Sequence, residues 1–191
     1  SDFFHLDVLS FIKTRCKFMV SYHYDGLQRN PLVFDRIPIF DKFYAFDKED
    51  VDSIEKTKIY LSNNFFFDYD YHPNSIVNDI YFLGFYEKSR EKFLFDFFNI
   101  AKKLFKNPVI EIVFLPHQVA ESLDYKVSGI NCLTSVVPFE KYLERIEQSN
   151  IIMDFLINAH NGLSFRIFEG LKYNKKVITT NPTVVNYDFY H

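Results

Sequence analysis

The chain has 191 residues, 48% of them hydrophobic, 19% aromatic and 25% charged, so it can form one large domain or two small ones. Its formal net charge of −3 excludes a global positive field that would recruit nucleic acid or an anionic membrane. Cys16 and Cys132 are far apart and form no CxxC motif, which argues against a disulfide scaffold and a cysteine-bound zinc site.

The opening residues of the chain do not resemble a signal peptide. The first residues lack the basic region and uninterrupted apolar run of a signal peptide. No stretch reaches the ~18 continuous apolar residues of a membrane span. Because the chain starts with Ser and stops after a loop-like stretch, we expect it to be an excised piece of a longer protein.

The first part of the chain alternates short apolar runs with turns. The spacing of apolar residues predicts a helix over residues 2–14. Strands are predicted over residues 17–22, 42–46 and 58–61. Residues 65–78 are aromatic, acidic and irregular, which favours a linker or crossing segment. We therefore expect residues 1–70 to be the remnant of an N-terminal α/β domain with its crossing segment.

From residue 71 onwards the pattern becomes regular. Strands are predicted over residues 79–83, 109–115, 130–133, 150–155 and 176–180, with helices over 89–105, 116–123 and 139–149 and one more that begins at Ser164. Each strand is a short continuous apolar run, which is typical of a parallel sheet covered by helices on both faces. Residues 71–191 are therefore predicted to form a Rossmann-like α/β domain, whose ligands bind outside the carboxyl ends of the strands.

One candidate binding segment is the stretch from Asn161 to Asn181, which follows a predicted strand end. Gly162 breaks the chain and allows close backbone approach, and Ser164 is predicted to cap the next helix. Arg166 and Glu169 are three residues apart and share a helix face that we expect to be exposed. An Arg binds phosphate oxygens and a carboxylate binds sugar hydroxyls. The alternative is an ordinary surface helix with solvated charges.

Two further constellations are weaker. In FLGFYEKSREKF, Gly84 follows a strand and Arg90 lies near a helix start, so both are candidates for contact with a diphosphate. A single Gly is not a GxGxxG fingerprint, and a tight turn with a solvated Arg is the alternative. In SYHYDG, a strand would place His23 and Asp25 on one face, where they are candidates for acid/base catalysis. The histidines show no metal-ligand spacing, so no metal site is predicted.

The segment GLSFRIFEGLKYNKKVITTN followed by YDFYH resembles bacterial glycosyltransferases of the GT-B fold that act in lipopolysaccharide, capsule or exopolysaccharide biosynthesis. FLGFYEKSR and FDKFYAFDKED resemble other parts of the same enzymes, and the resemblance runs from about Lys17 to the end. Many retaining members carry an E-x7-E pair, but position 161 is Asn, so the stereochemical outcome stays open.

The resemblance implies that the chain binds a nucleotide-diphosphate sugar for transfer to a saccharide or lipid-linked saccharide acceptor. Glu169 would hold the ribose, Arg90 and Arg166 the diphosphate, and Gly84, Gly162 and Ser164 would allow backbone approach. The loops at 114–116 and 136–138 would contact the nucleobase. No metal or other cofactor is expected, and no nucleic-acid partner.

The resemblance also implies a cytoplasmic location, with peripheral association of the full-length protein at the inner face of the membrane left open. It does not assign a catalytic residue, and His23 and Asp25 stay the candidates. We expect the fragment alone to be inactive. A non-catalytic α/β interaction or carbohydrate-binding module is the alternative, which predicts an exposed aromatic patch and no nucleotide binding. An epimerase or dehydrogenase is less favoured because GxGxxG is absent.

Overall fold

The computed structural model describes residues 4–53, 58–69 and 75–190. By the density of internal contacts the chain divides into two compact units. Unit 1 comprises Ser1–Asn64, Asn158–Leu163 and Thr183–His191, and unit 2 comprises Phe65–Ile157 and Ser164–Pro182. The predicted boundary between residues 70 and 71 lies outside the described residues. Within the described residues, no helix combines the length and the apolar character needed to cross a membrane.

Unit 1 contains a three-stranded parallel sheet. Its elements are α1 (Leu6–Arg15), β1 (Val20–His23), β2 (Lys42–Ala45), α2 (Lys48–Ser53) and β3 (Ile59–Leu61), with short 3-10 turns between β1 and β2. The strand order is β1-β2-β3. Alternate strand residues such as Phe43, Ala45 and Ile59 are buried with Leu9 of α1 and Ile37, so one face of the sheet forms the core of this unit.

Unit 2 contains a five-stranded sheet in which all neighbouring strands are parallel. Its elements are β4 (Asn78–Phe85), α3 (Glu91–Leu104), β5 (Pro108–Val113), α4 (Ser122–Val127), β6 (Asn131–Leu133), α5 (Phe139–Glu147), β7 (Ser149–Asp154), α6 (Phe165–Lys172) and β8 (Lys176–Thr179). The strand order is β6-β5-β4-β7-β8. The helix predicted over 116–123 is a 3-10 turn at Pro116–Glu121 that continues into α4.

Helices cover both faces of the unit 2 sheet. Phe82 of β4 packs into a core with Leu94 of α3 and Tyr125 of α4. The neighbouring Tyr81 points to the other face and packs with Leu143 of α5, in a core that also contains Ile152 and Tyr173. The alternation places successive side chains of β4 in two different cores. The chain is therefore α/β, with parallel sheets flanked by helices in a Rossmann-like arrangement, and the predicted fold class is confirmed.

Candidate functional site

The order of the strands in unit 2 identifies one place at the carboxyl edge of the sheet. From β4 the chain moves to β5 and β6 on one side, and it then returns to place β7 and β8 on the other side. Connections that leave β4 and β7 therefore diverge to opposite faces of the sheet, and such a topological switch point is where open α/β sheets bind ligands. Gly84 lies near the end of β4 and Arg90 follows this strand, whereas Asp154 ends β7 and is followed by Ser164 and Arg166.

Two arginines meet at this switch point. The Cζ atom of Arg90 lies 5.1 Å from the centroid of the Phe82 ring, and the Cζ atom of Arg166 lies 4.8 Å from the same centroid. Arg90 donates a hydrogen bond to the carbonyl of Phe85, and Arg166 donates one to the carbonyl of Leu83. The end of β4 therefore holds both guanidinium groups against one aromatic ring.

The two guanidinium groups are poorly neutralised. Oδ1 of the Asp154 carboxylate is 3.9 Å from Nη1 of Arg166, and this distance is longer than a charge-assisted hydrogen bond. Among the described residues, the buried Nε atoms of Arg90 and Arg166 have no hydrogen-bond partner. Arg90 is only 7% exposed, and burial together with the neighbouring Arg166 lowers its pKa to about 10. Buried donors without acceptors are costly, and an anionic ligand would remove that cost.

Gly84 does not follow the strand, as predicted, but lies within β4, next to its last residue. A Cβ atom at this position would lie 2.6 Å from Nη2 of Arg90 and 3.0 Å from Cζ of Phe82. The absence of a side chain at Gly84 therefore makes room for the Arg90 guanidinium on the Phe82 ring.

Ser164 and Asp154 form a polar pair beside Arg166. Ser164 occupies the N-cap position of α6, but the predicted side-chain cap is wrong, because its hydroxyl makes no hydrogen bond to that helix. Its Oγ donates instead to Oδ1 of Asp154 at 2.7 Å, and Thr179 Oγ1 donates to Oδ2 at 2.8 Å. Asp154 is buried at the end of β7, so it ties the start of α6 to the end of β8. The position of Asp154 at a strand end was the only sequence signal for this role.

Glu169 is not on an exposed face, so that prediction is wrong. It is 2% exposed, and its carboxylate accepts a hydrogen bond from the hydroxyl of Tyr142 in α5. Burial raises the pKa of Glu169, and the hydrogen bond from Tyr142 and the charge of Arg166 act in the opposite direction. Helical spacing placed Arg166 and Glu169 on one side of α6 but could not show which chain segments pack there.

The shared strand face predicted for His23 and Asp25 is wrong. β1 ends at His23, so Asp25 lies beyond the strand. The Asp25 carboxylate accepts a hydrogen bond from the amide of Gly26 at 2.9 Å and forms an ion pair with Arg29 at 2.9 Å. His23 is buried, and its ring centroid is 6.2 Å from that of Phe43.

Other titratable side chains lie at the carboxyl edge of the unit 1 sheet. Asp50 of α2 accepts a hydrogen bond from the amide of Leu27 at 2.9 Å. Burial is the main cause that raises the pKa of Asp50, and the charges of His23 and His160 oppose it. Sequence reasoning missed this neighbourhood because Asp50 and His160 are far from His23 along the chain.

Gly162 belongs to unit 1, whereas Ser164 belongs to unit 2. A Cβ atom at Gly162 would lie 2.5 Å from the Phe46 ring and 2.7 Å from its carbonyl oxygen. The preceding Asn161 donates its amide hydrogen to Oδ2 of Asp47 at 2.6 Å. Gly162 therefore permits close packing of residues 158–163 within unit 1.

The described residues contain no group of three or more His, Cys, Asp or Glu side chains placed to hold a metal ion. No protein-family model matches this chain, and no curated protein is significantly similar to it in sequence.

Proposed function

We propose that unit 2 binds the diphosphate of a nucleotide sugar and that the chain is part of a glycosyltransferase with a saccharide or lipid-linked saccharide acceptor. One observation carries the proposal. Arg90 and Arg166 converge on Phe82 at the topological switch point, and the buried Nε atom of each has no hydrogen-bond partner among the described residues. This arrangement supports a ligand with two or more negative charges.

The same arrangement suits the chemistry of glycosyl transfer. When the bond between the sugar and the diphosphate breaks, negative charge develops on the leaving phosphate oxygen. Guanidinium groups already fixed by Leu83 and Phe85 stabilise that charge without reorganising. The amino end of α6, where Arg166 lies, adds a partial positive charge. The nucleoside diphosphate is thus both the proposed ligand and the proposed leaving group.

Isothermal titration calorimetry with a panel of nucleoside diphosphates and nucleotide sugars tests the proposal. We expect Arg90→Met and Arg166→Met each to weaken binding by roughly tenfold to a hundredfold, because hydrogen bonds to charged groups contribute about 1.5–3 kcal/mol. Lys88→Met is the matched control, since it removes one positive charge near Arg90 from a side chain that is 72% exposed.

The calorimetry has three decisive outcomes. Binding that Lys88→Met leaves unchanged and either arginine variant weakens supports the diphosphate site. If folded protein binds no member of the panel, the proposal fails. Equal losses in all three variants would also contradict it, because they would indicate long-range attraction in place of a built site.

A non-catalytic interaction module is the second candidate, and one observation favours it. Phe65, Phe66, Phe67 and Tyr69 have exposed fractions between 41% and 46%, which is the kind of aromatic patch that such a module predicts. It further predicts that nucleotides leave the melting temperature unchanged. A thermal-shift screen with the same panel therefore distinguishes the two functions.

A further inference from the structure

The aromatic segment 65–69 runs along one face of α6. Phe165, Glu169 and Lys172 are spaced i, i+4 and i+7, so they lie in a row on that face. At one end of the row, the ring centroid of Phe65 is 5.2 Å from the ring centroid of Phe165. At the other end, Lys172 forms an ion pair with Asp68 of the segment. Glu169 is the middle member of the row, and the segment contacts its neighbours on both sides.

A second set of contacts joins the aromatic segment to α5 and α5 to Glu169. The ring of Phe67 is 5.2 Å from the ring of Phe139, the first residue of α5. The ring centroid of Phe139 is 6.0 Å from that of Tyr142, and the hydroxyl of Tyr142 donates a hydrogen bond to the Glu169 carboxylate. Glu169 is therefore buried between α5, which supplies Tyr142, and a face of α6 on which residues 65–69 contact the positions before and after it.

The segment itself is held by ring contacts and by one ion pair. Residues 65–69 belong to no helix or strand, and the aromatic rings along them are close to half exposed. The side chain of Asp68 is 87% exposed, so its ion pair with Lys172 is open to solvent. Segments with exposed backbone and few buried contacts open at a small fraction of the global unfolding free energy.

We propose that residues 65–69 form a removable cover over Glu169. A ligand with a vicinal diol binds the Glu169 carboxylate after it displaces this cover. The inference rests on the proposed function, in which the ribose of a nucleoside diphosphate supplies the diol next to the phosphates held by Arg166. Two neighbouring hydroxyls donate to the two carboxylate oxygens in place of Tyr142. The apparent affinity for the ligand equals the affinity of the uncovered state multiplied by the fraction of molecules in which Glu169 is accessible.

The cover is tested first without any nucleotide. Glu169→Cys, in a Cys16→Ser background that removes the exposed thiol, reports how often position 169 meets solvent. Labelling by a small thiol reagent should be slow, and adding Asp68→Ala should accelerate it about threefold or more. Asp96→Ala is the matched control, because it also removes one carboxylate from an exposed ion pair with a lysine of unit 2. Labelling that is fast before any cover substitution, or equally slow after Asp68→Ala, overturns the proposal.

The second arm measures binding of nucleoside diphosphates by calorimetry. Asp68→Ala should tighten binding about twofold to fivefold, Asp96→Ala should not, and a 2′,3′-dideoxy nucleoside diphosphate should show no gain. Unchanged or weaker binding of the ribose ligand to Asp68→Ala overturns the cover while the diphosphate site stands. If no ligand binds but Asp68→Ala still accelerates labelling, the proposed function fails and residues 65–69 are shown to cover position 169 for another ligand.

Discussion

At the scale of single residues, the candidate site depends on the fit between Gly84, Phe82 and Arg90. Arg90 can lie on the Phe82 ring only because Gly84, two residues further along β4, has no side chain. The guanidinium is then held by one hydrogen bond to the carbonyl of Phe85. A buried arginine next to a second arginine is unfavourable by itself, and such arrangements are common at functional sites.

Gly84→Ala tests this fit. The added Cβ would lie 2.6 Å from Nη2 of Arg90, so the guanidinium must move. We expect a loss of stability of about 1 kcal/mol, at the low end for overpacking because the contacted atom ends a flexible side chain. Nucleoside diphosphate binding should weaken about as much as in Arg90→Met. Chemical denaturation and calorimetry measure the two effects.

A double-mutant cycle provides the control for Gly84→Ala. In an Arg90→Ala background the same substitution should cost less stability and should change binding no further, because the side chain that it displaces is gone. Strictly additive losses would show that Gly84 acts independently of Arg90.

At the scale of secondary-structure elements, α6 is the helix on which the proposed function depends. Its start carries Arg166 towards the end of β4, and its covered face buries Glu169 against α5. The helix ends at Lys172, and Asn174, two residues later, adopts a left-handed conformation with φ of 50°. One short helix thus holds a partly buried cation, Arg166, and a buried acid, Glu169.

The buried acid makes the stability of α6 depend on pH. Burial raises the pKa of Glu169 above 4.5, its ordinary value. Binding of a proton to Glu169 therefore stabilises the folded state below about pH 4.5, and this contribution is lost as the pH rises through the folded-state pKa. Glu169→Gln should have a higher melting temperature than the wild type at neutral pH, and the difference should vanish in acid.

Glu140→Gln is the control for this pH dependence, because Glu140 is an exposed carboxylate in the first turn of α5. Its melting temperature should not rise above that of the wild type at neutral pH, because a charged carboxylate in the first turn of a helix is stabilising. A lower melting temperature of Glu169→Gln at neutral pH would contradict the expectation and would show that the charged form of Glu169 stabilises the fold.

At the scale of the whole molecule, the chain forms two compact units that are not continuous in sequence. Residues 158–163 and 183–191 belong to unit 1, although unit 2 residues lie before and between them. Each unit has its own parallel sheet and its own core. The proposed diphosphate site is built entirely from unit 2 residues.

Hydrogen–deuterium exchange tests that assignment across the whole chain. A nucleoside diphosphate should slow amide exchange at the carboxyl ends of β4 and β7 and at the start of α6, and it should leave β1–β3 unchanged. The same ligand added to Arg90→Met should give little protection. Protection confined to β1–β3 would place the ligand in unit 1 and refute the proposed site.

The regular elements of unit 2 were predictable because their patterns are local. A strand that is buried on both faces needs a continuous apolar run, as in residues 80–83 of β4, and a covering helix needs an apolar stripe, as in α3. Asn107 lies between α3 and β5, and Pro108 begins β5, so the break between these two elements follows from local backbone preferences. Parallel strands covered by helices on both faces follow from this alternation.

The sequence by itself thus determined the α/β class, the order of the elements and the two arginines near strand ends. Only the tertiary structure decided that Arg90 and Arg166 share Phe82, that Glu169 is buried, and that Asp25 lies beyond the end of β1. The physical reason is that these outcomes depend on contacts between distant segments. Strand order and the path of residues 65–69 set those contacts, and neither is encoded in a local pattern of spacing or propensity.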